Sequence, residues 1–339
     1  MRQIWITRYG RPEVLAVRIS PDPEPGDGEV RIRVAGAGVN FADLSARAGL
    51  YPDAPPAPMV VGYEVSGEID AVGGSVDGFS PGDRVMALTR FGGYADVVTV
   101  PAAQVTRIHT GADPVTAAAV PVAYLTAYVM LHRLGSVQPG DTVLIHSAGG
   151  GVGLAALQLA RGLGAVTIGT ASTKKHERLA EHGLDHAIDY RTHDFEAEVL
   201  RITDGRGVDV VLDAQGGSSF RKSYRCLAPL GRLFCFGLSA ANAEARSQVW
   251  RTLPRALVTT PVFHPVQLMN ANKGVFGINM GHLWDQGALM GRLLGELDGM
   301  WERGEISPVI DAVVPFDRAA EAHERLAQGR NFGKVVLTP

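Results

Sequence analysis

Cysteine is nearly absent. The chain has two, Cys226 and Cys235, in 339 residues. That is too few for a disulfide framework or a four-thiolate metal site. Both lie in apolar segments, where a free cysteine is usually a small buried hydrophobe. Charge is also scarce: charged residues make up 20% and the net charge is −3. This balance offers no electrostatic attraction for nucleic acid or an anionic membrane. No apolar run approaches the roughly 20 residues that span a bilayer. The opening MRQIWITRYG has no apolar stretch of signal-peptide length. The expectation is a cytoplasmic protein without nucleic-acid partner or integral membrane association. The histidines show no paired metal spacing in the early domain where a zinc enzyme of this size would bind its ion, and a catalytic zinc needs three protein ligands, so no metal is expected.

What is present divides the chain. Residues 1–122 read as β-rich, with short β-branched runs at 30–34, 65–69 and 97–100 separated by turn clusters such as PDPEPGDGE and PGDR. Residues 122–134 have helical spacing. Strands are then predicted at 142–147, 166–171, 186–190, 208–214 and 232–237, alternating with helices at 151–163, 174–182, 194–203 and 219–228. Such alternation means βαβ units and a parallel sheet. Further helices are predicted at 244–257, 285–303 and 317–328, with an apolar run at 275–278 and a closing strand at 334–337. The expected domains are 1–122 (catalytic), 123–262 (cofactor-binding, inserted in the chain) and 263–339 (a dimer edge and the return to the catalytic domain).

The stretch DTVLIHSAGGGVGLAALQLARGLG at 141–164 is the most telling. A short apolar run meets a glycine cluster that opens directly into a helix, the order needed to bring a pyrophosphate onto a helix N-terminus. Ala148, Gly150 and Gly153 fit the G-x-G-x-x-G spacing, with alanine in the first position. NAD-binding folds usually carry an acid about 20 residues past this turn, on the ribose 2′-hydroxyl. Here the second strand runs into Thr170-Ala171-Ser172-Thr173-Lys174-Lys175, with no acid. Hydroxyls and lysines would instead hold a 2′-phosphate, and Tyr190-Arg191 follow at the end of the next strand. NADPH is the expected cofactor. The plainer reading makes Lys174 and Lys175 the start of a solvated helix.

A family resemblance rests on Gly38-Val39-Asn40-Phe41-Ala42-Asp43, Gly49-Leu50-Tyr51-Pro52, Gly62-Tyr63-Glu64-Val65-Ser66-Gly67, Leu125-Thr126-Ala127-Tyr128 and residues 148–154. Together these resemble the zinc-free quinone oxidoreductase (ζ-crystallin-like) branch of the medium-chain dehydrogenase/reductase superfamily, over essentially the whole chain. Within that branch, ASTKKHE at 171–177, IDYRT at 188–192 and NKGVFG at 272–277 are especially similar to the synaptic-vesicle membrane protein homologues. The resemblance implies an α/β chain, a GroES-like β-barrel catalytic domain plus a doubly wound Rossmann cofactor domain. Zinc enzymes of the superfamily carry Gly-His-Glu where this chain has Gly62-Tyr63-Glu64, and they have a ligand cysteine in the early domain that is missing here.

By that resemblance Asn40, Asp43 and Tyr51 lie beside the nicotinamide, and Tyr63 fills the space of a ligand histidine. Thr126 contacts the ribose. Ala148, Gly150, Gly151, Val152 and Gly153 hold the pyrophosphate, while Ser172, Lys175 and Tyr190 take the 2′-phosphate. Gly237, Leu238, Ser239, Phe276 and Ile278 meet the nicotinamide end, and Asn331 returns to the cofactor. Phe263, His264 and Leu268 are expected at the substrate side or a dimer surface. Plainer roles stand beside these: Asn40 or Thr126 bonding local backbone, Asp43 capping a helix, Tyr51 and Tyr63 in ordinary packing, Asn331 bridging a turn. Without metal the acceptor must already be electrophilic, so a quinone or α,β-unsaturated carbonyl is expected. Its oxyanion would take hydrogen bonds from Asn40, Tyr51 or water. Competing readings are an enoyl-thioester reductase and an NADPH-binding scaffold or lipid-interaction protein. The apolar edge strand near 275–278 would leave unpaired backbone groups unless covered; the resemblance implies that such edges pair across a two-fold axis, so a homodimer is expected.

Overall fold

The computed structural model describes residues 1–239 and 259–339. The helix expected at 244–257 therefore lies outside the described residues. The chain forms two compact units, Met1–Leu125 with Met280–Pro339, and Thr126–Asn279.

The first unit is antiparallel β with a few helices. Its central strand Glu29–Gly38 pairs with Glu64–Val72 on one side and with Val97–Pro101 and Lys334–Thr338 on the other. The last strand thus closes onto the N-terminal sheet. Alternate residues Val30, Ile32 and Val34 face a core shared with Ile4, Ile6, Val65, Ile69 and Val335, the inward-outward rhythm of a sheet with one buried face. Between these strands the helix Phe41–Arg47 starts from Asn40 in a capping box: the Asn40 N–H donates to the Asp43 carboxylate at 2.7 Å.

The second unit is a six-stranded, wholly parallel sheet. Across it the strands run His186–Asp189, Val166–Ala171, Thr142–Ile145, Val208–Asp213, Leu227–Cys235 and Gly274–Gly277. In chain order that is 3-2-1-4-5-6, the doubly wound dinucleotide-binding order, which reverses between the first and fourth strands. The fourth strand is buried along its whole length, as a strand covered on both faces must be. Helices Gly151–Gly162, His176–Glu181, Phe195–Ile202 and Ser218–Arg225 follow successive strands.

Three local features depart from the sequence expectation. The predicted strand at 232–237 begins earlier, at Leu227. The segment at 122–134 is an α-helix, Pro121–Tyr128, that widens into a π-helical stretch, Val129–Leu134. Residues 263–279 also pack with the second unit, not with the C-terminal return: Gly274–Gly277 is the sixth strand of its sheet, and Phe263 and Leu268 lie against its core.

Candidate active site

In the first unit the structure gathers Asn40, Asp43 and Tyr63 around two residues the sequence reading passed over, Glu64 and Lys334. The Asn40 amide is fully oriented. Its Nδ2 donates to Glu64 Oε1 at 2.8 Å and to the Gly38 carbonyl at 3.3 Å, and its Oδ1 accepts from Lys334 Nζ at 2.6 Å. Lys334 also pairs with Glu64 Oε1 at 2.5 Å, and Glu64 Oε2 accepts the Val122 N–H at 2.7 Å. Glu64 is completely buried and Lys334 nearly so, so the two charges stand or fall together. Both Nδ2 protons being committed, Asn40 has no donor left for a developing oxyanion.

Asp43 has no exposed surface. One carboxylate oxygen accepts the Gly62 N–H at 3.0 Å; the other accepts the Asn40 N–H and the Tyr94 hydroxyl, at 2.7 and 3.1 Å. Burial pushes its pKa up to about 7 against the pull of these donors and of Lys334. Asp43 is therefore a positioning residue, tying the helix start at Asn40 to the Gly62–Tyr63 turn. Gly62 itself has φ +106°, and a Cβ there would lie 2.6 Å from the Tyr94 backbone nitrogen, so only glycine fits. Behind Tyr94 sits buried His323, its Nε2 3.1 Å from the Tyr94 hydroxyl. Because that hydroxyl donates to Asp43, His323 must donate to it from Nε2.

Tyr51 and Tyr63 stand edge to face, ring centres 6.0 Å apart, and Tyr63 packs on Phe91 at 5.4 Å. These rings line a cavity of about 320 Å³ with Trp284, within the size range of small-molecule sites. Asp53 and His282 pair at its edge at 2.8 Å. Asn331 is buried in the same unit, and its Nδ2 donates to the Gly333 carbonyl at 2.9 Å, the turn-bridging contact weighed as its plainer role.

In the second unit the glycine turn lies where the strand order reverses. Gly150 is the extended N-cap of the 12-residue helix Gly151–Gly162, and Val152 occupies its first turn. None of Gly150, Gly151 and Gly153 has a positive φ; the left-handed residue is Ser147, at +56°. Space is what these glycines supply. A Cβ on Gly153 would come 2.7 Å from Ala148 Cα, and one on Gly150 would crowd the Ser147 carbonyl at 3.3 Å. Ala148 fits the first glycine position because its methyl faces Gly169, where a second Cβ would lie 2.8 Å away. The close backbone approach and the free helix N-terminus fit a dinucleotide pyrophosphate.

Beneath this turn runs a buried polar chain that the sequence reading did not find. The Ser223 hydroxyl donates to Asp213 Oδ2 at 2.7 Å, so it accepts from His146 Nε2 at 3.0 Å. A neutral His146 then accepts on Nδ1 from the Thr170 hydroxyl at 3.0 Å, which in turn accepts the Ser147 N–H at 3.3 Å. Gln215 Nε2 donates to Ser147 Oγ at 2.6 Å. Burial lowers the His146 pKa, opposed by the Asp213 charge. The serine lies between the acid and the imidazole, the wrong order for nucleophile activation; the chain instead braces the left-handed residue that opens the turn.

The remaining cofactor candidates are spread around this sheet. Ser172 starts the 3₁₀ turn Thr173–Lys175 after the second strand, and Tyr190 is exposed after the third, with the Arg191 guanidinium 5.8 Å from its ring centre. Asp189 is an acid the second-strand reading did not reach. Its carboxylate accepts from the Thr173 hydroxyl and from the Thr173 and Arg191 N–H groups at 3.2 and 2.9 Å. These bonds hold its pKa below the usual range, the Thr173 hydroxyl most of all. Thr126 is buried within Pro121–Tyr128. Gly237, Leu238 and Ser239 follow the fifth strand, where the Ser239 N–H donates to the Ala214 carbonyl at 2.9 Å. Phe276, on the sixth strand, stacks on Phe234 at 5.1 Å, and the Ile278 N–H donates to the Cys235 carbonyl at 3.0 Å. His264 caps the helix Pro265–Ala271, while Phe263 and Leu268 pack inward. Among the described residues no three His, Cys, Asp or Glu side chains gather as metal ligands.

This architecture is that of a nicotinamide-dependent dehydrogenase, and sequence comparison agrees. The chain matches the alcohol dehydrogenase GroES-like domain over residues 26–110 and the zinc-binding dehydrogenase family over 182–337. It is 41% identical to the human synaptic vesicle membrane protein VAT-1 homolog over 309 residues, covering 89% of this chain and 77% of that protein. It is 35% identical to a quinone oxidoreductase of Pseudomonas aeruginosa, covering 100% of this chain and 99% of that protein. A mycobacterial protein solved in complex with NADPH superposes over 100% of both chains, with a TM-score of 0.88 at 31% identity. The chain belongs to the medium-chain dehydrogenase/reductase superfamily, as a relative of its quinone oxidoreductases and VAT-1 homologues.

Proposed function

We propose that this chain is a zinc-independent oxidoreductase that passes a hydride from NADPH to a quinone or an α,β-unsaturated carbonyl. The observation that carries the reading is the turn at 147–153, closed to any larger side chain at Gly153 and opening onto the N-terminus of a 12-residue helix. When bound, the nicotinamide supplies the hydride. Ala148, Gly150, Gly151, Val152 and Gly153 hold the pyrophosphate, with Ser172, Lys175 and Tyr190 on the 2′-phosphate. Thr126, Gly237, Leu238, Ser239, Phe276, Ile278 and Asn331 serve the ribose and nicotinamide end. Tyr51 and Tyr63 hold a planar acceptor in a cavity walled by their rings, Phe91 and Trp284 and by the polar side chains Asp53, Arg90, His282 and Asp285. Asn40 keeps its committed amide beside them, and Asp43 sets where Asn40 and Tyr63 stand. An acceptor already polarised by its own conjugation needs no metal.

The chain acts as a homodimer. Among the described residues Gly274–Gly277 is an edge strand with one side unpaired, and Leu230, Val262 and Met269 in the same unit are 78%, 91% and 73% exposed. Open edges of this kind are normally covered. The test of the activity is NADPH oxidation against a panel of quinones, enones and a crotonyl thioester. A crotonyl thioester outpacing the rest would select the enoyl-thioester reading. Cofactor binding with no turnover on any of them would leave a scaffold.

A further inference from the structure

Tyr63 presents a polar atom that the fold does not use. The residue is 5% exposed, and its hydroxyl is buried with no hydrogen-bond partner among the described residues. Buried hydroxyls are nearly always paired, since leaving one unmade forfeits its hydration for nothing. The ring is held by Tyr51 and Phe91, and all three line the 320 Å³ cavity. The position is specified upstream: Asp43 grips the Gly62 N–H, and Gly62, immediately before Tyr63, holds a φ of +106° that a side chain would strain. Asn40 is excluded as a donor, because both its amide protons are committed to Glu64 and Gly38.

We propose that the Tyr63 hydroxyl is a hydrogen-bond donor to the carbonyl oxygen of an acceptor molecule bound in this cavity. The proposal rests on the reading of the cavity as an acceptor site. Burial, reinforced by the negative charge of Asp43, raises the Tyr63 pKa far above that of a free phenol, so the group stays protonated. It therefore shares its proton with the growing oxyanion and does not surrender it; the proton that completes the product comes from solvent. A neutral donor already in place strengthens its bond as charge builds on the oxygen, which is the interaction that lowers a barrier.

The test is Tyr63→Phe, which removes an oxygen with no partner among the described residues and so leaves the melting temperature unchanged or higher. Two readouts apply. The carbonyl stretch of cyclohex-2-enone bound to the holoprotein, followed by isotope-edited infrared spectroscopy, should shift to lower frequency in the wild type and return toward its unbonded value in the variant. Turnover of the same enone should fall about 100-fold, the usual scale for losing one such donor, with NADPH affinity unchanged. A carbonyl shift lost in Tyr63→Phe without measurable wild-type turnover would support the donor and sink only the proposed reaction. An identical shift in both proteins, no shift in the wild type, or a variant turning over within twofold would overturn it.

Discussion

Asn40 looked like a free amide in sequence, one that might serve any neighbour, and the fold removes that freedom. Lys334 and Glu64 lie 294 and 24 residues from it in the chain, and no periodicity or local motif announces a pairing between a late β-strand lysine and an early loop amide. The resemblance found Asn40, Asp43, Tyr51 and Tyr63, but not which of them retain an unspent donor; that depends on who their partners are. The buried ion pair makes a definite prediction. Lys334→Met leaves Glu64 charged and uncompensated in the interior, which should cost about 3–5 kcal/mol in urea unfolding. Combining Lys334→Met with Glu64→Leu should recover most of that loss, because paired apolar replacements of buried ions are often neutral or stabilising. A double variant no more stable than the single one would show that the two charges are not each other's main support.

The elements of the second unit were legible because each is short, apolar and bounded by glycine or by a capping acid such as Asp194, which accepts the Glu196 N–H at 3.0 Å. The five strands and four helices predicted from 142 to 237 all appear, with shifts at their ends. The chain of hydroxyls, imidazole and carboxylate around His146 was not legible, since it joins the ends of three strands to a helix, with His146 and Ser223 77 residues apart, and its members are individually commonplace. That chain carries a pH dependence. His146 has a lowered pKa in the folded state because it is buried, so the unfolded chain binds its proton more readily. Its contribution is fully present above the unfolded value of about 6.5 and is lost as pH falls toward the folded value. His146→Gln keeps a donor toward Ser223 and an acceptor toward Thr170 without titrating. Wild type should therefore lose stability more steeply than this variant between pH 7.5 and 5, followed by chemical denaturation. Parallel pH profiles would mean that His146 is already protonated in the fold or does not titrate in this range.

On the scale of the whole molecule, the inserted parallel sheet and the return of the last strand to the N-terminal sheet were both foreseeable from composition and strand–helix rhythm. The seam between the units was less so: the sixth strand is only four residues long, and a short apolar run does not reveal which sheet will take it. Among the described residues that strand is an open edge, and light scattering on the purified protein should give twice the chain mass; a single-chain mass would remove the homodimer. The central claim joins the glycine turn, the cation-bearing end of the second strand and the aromatic cavity into one activity. Its most direct measurement is the consumption of NADPH by the chelator-treated protein with 1,4-benzoquinone and cyclohex-2-enone, run beside NADH. The account predicts turnover that survives chelation and favours NADPH. No turnover with either acceptor despite saturable NADPH binding, or activity that disappears with the chelator and returns with zinc, would contradict it.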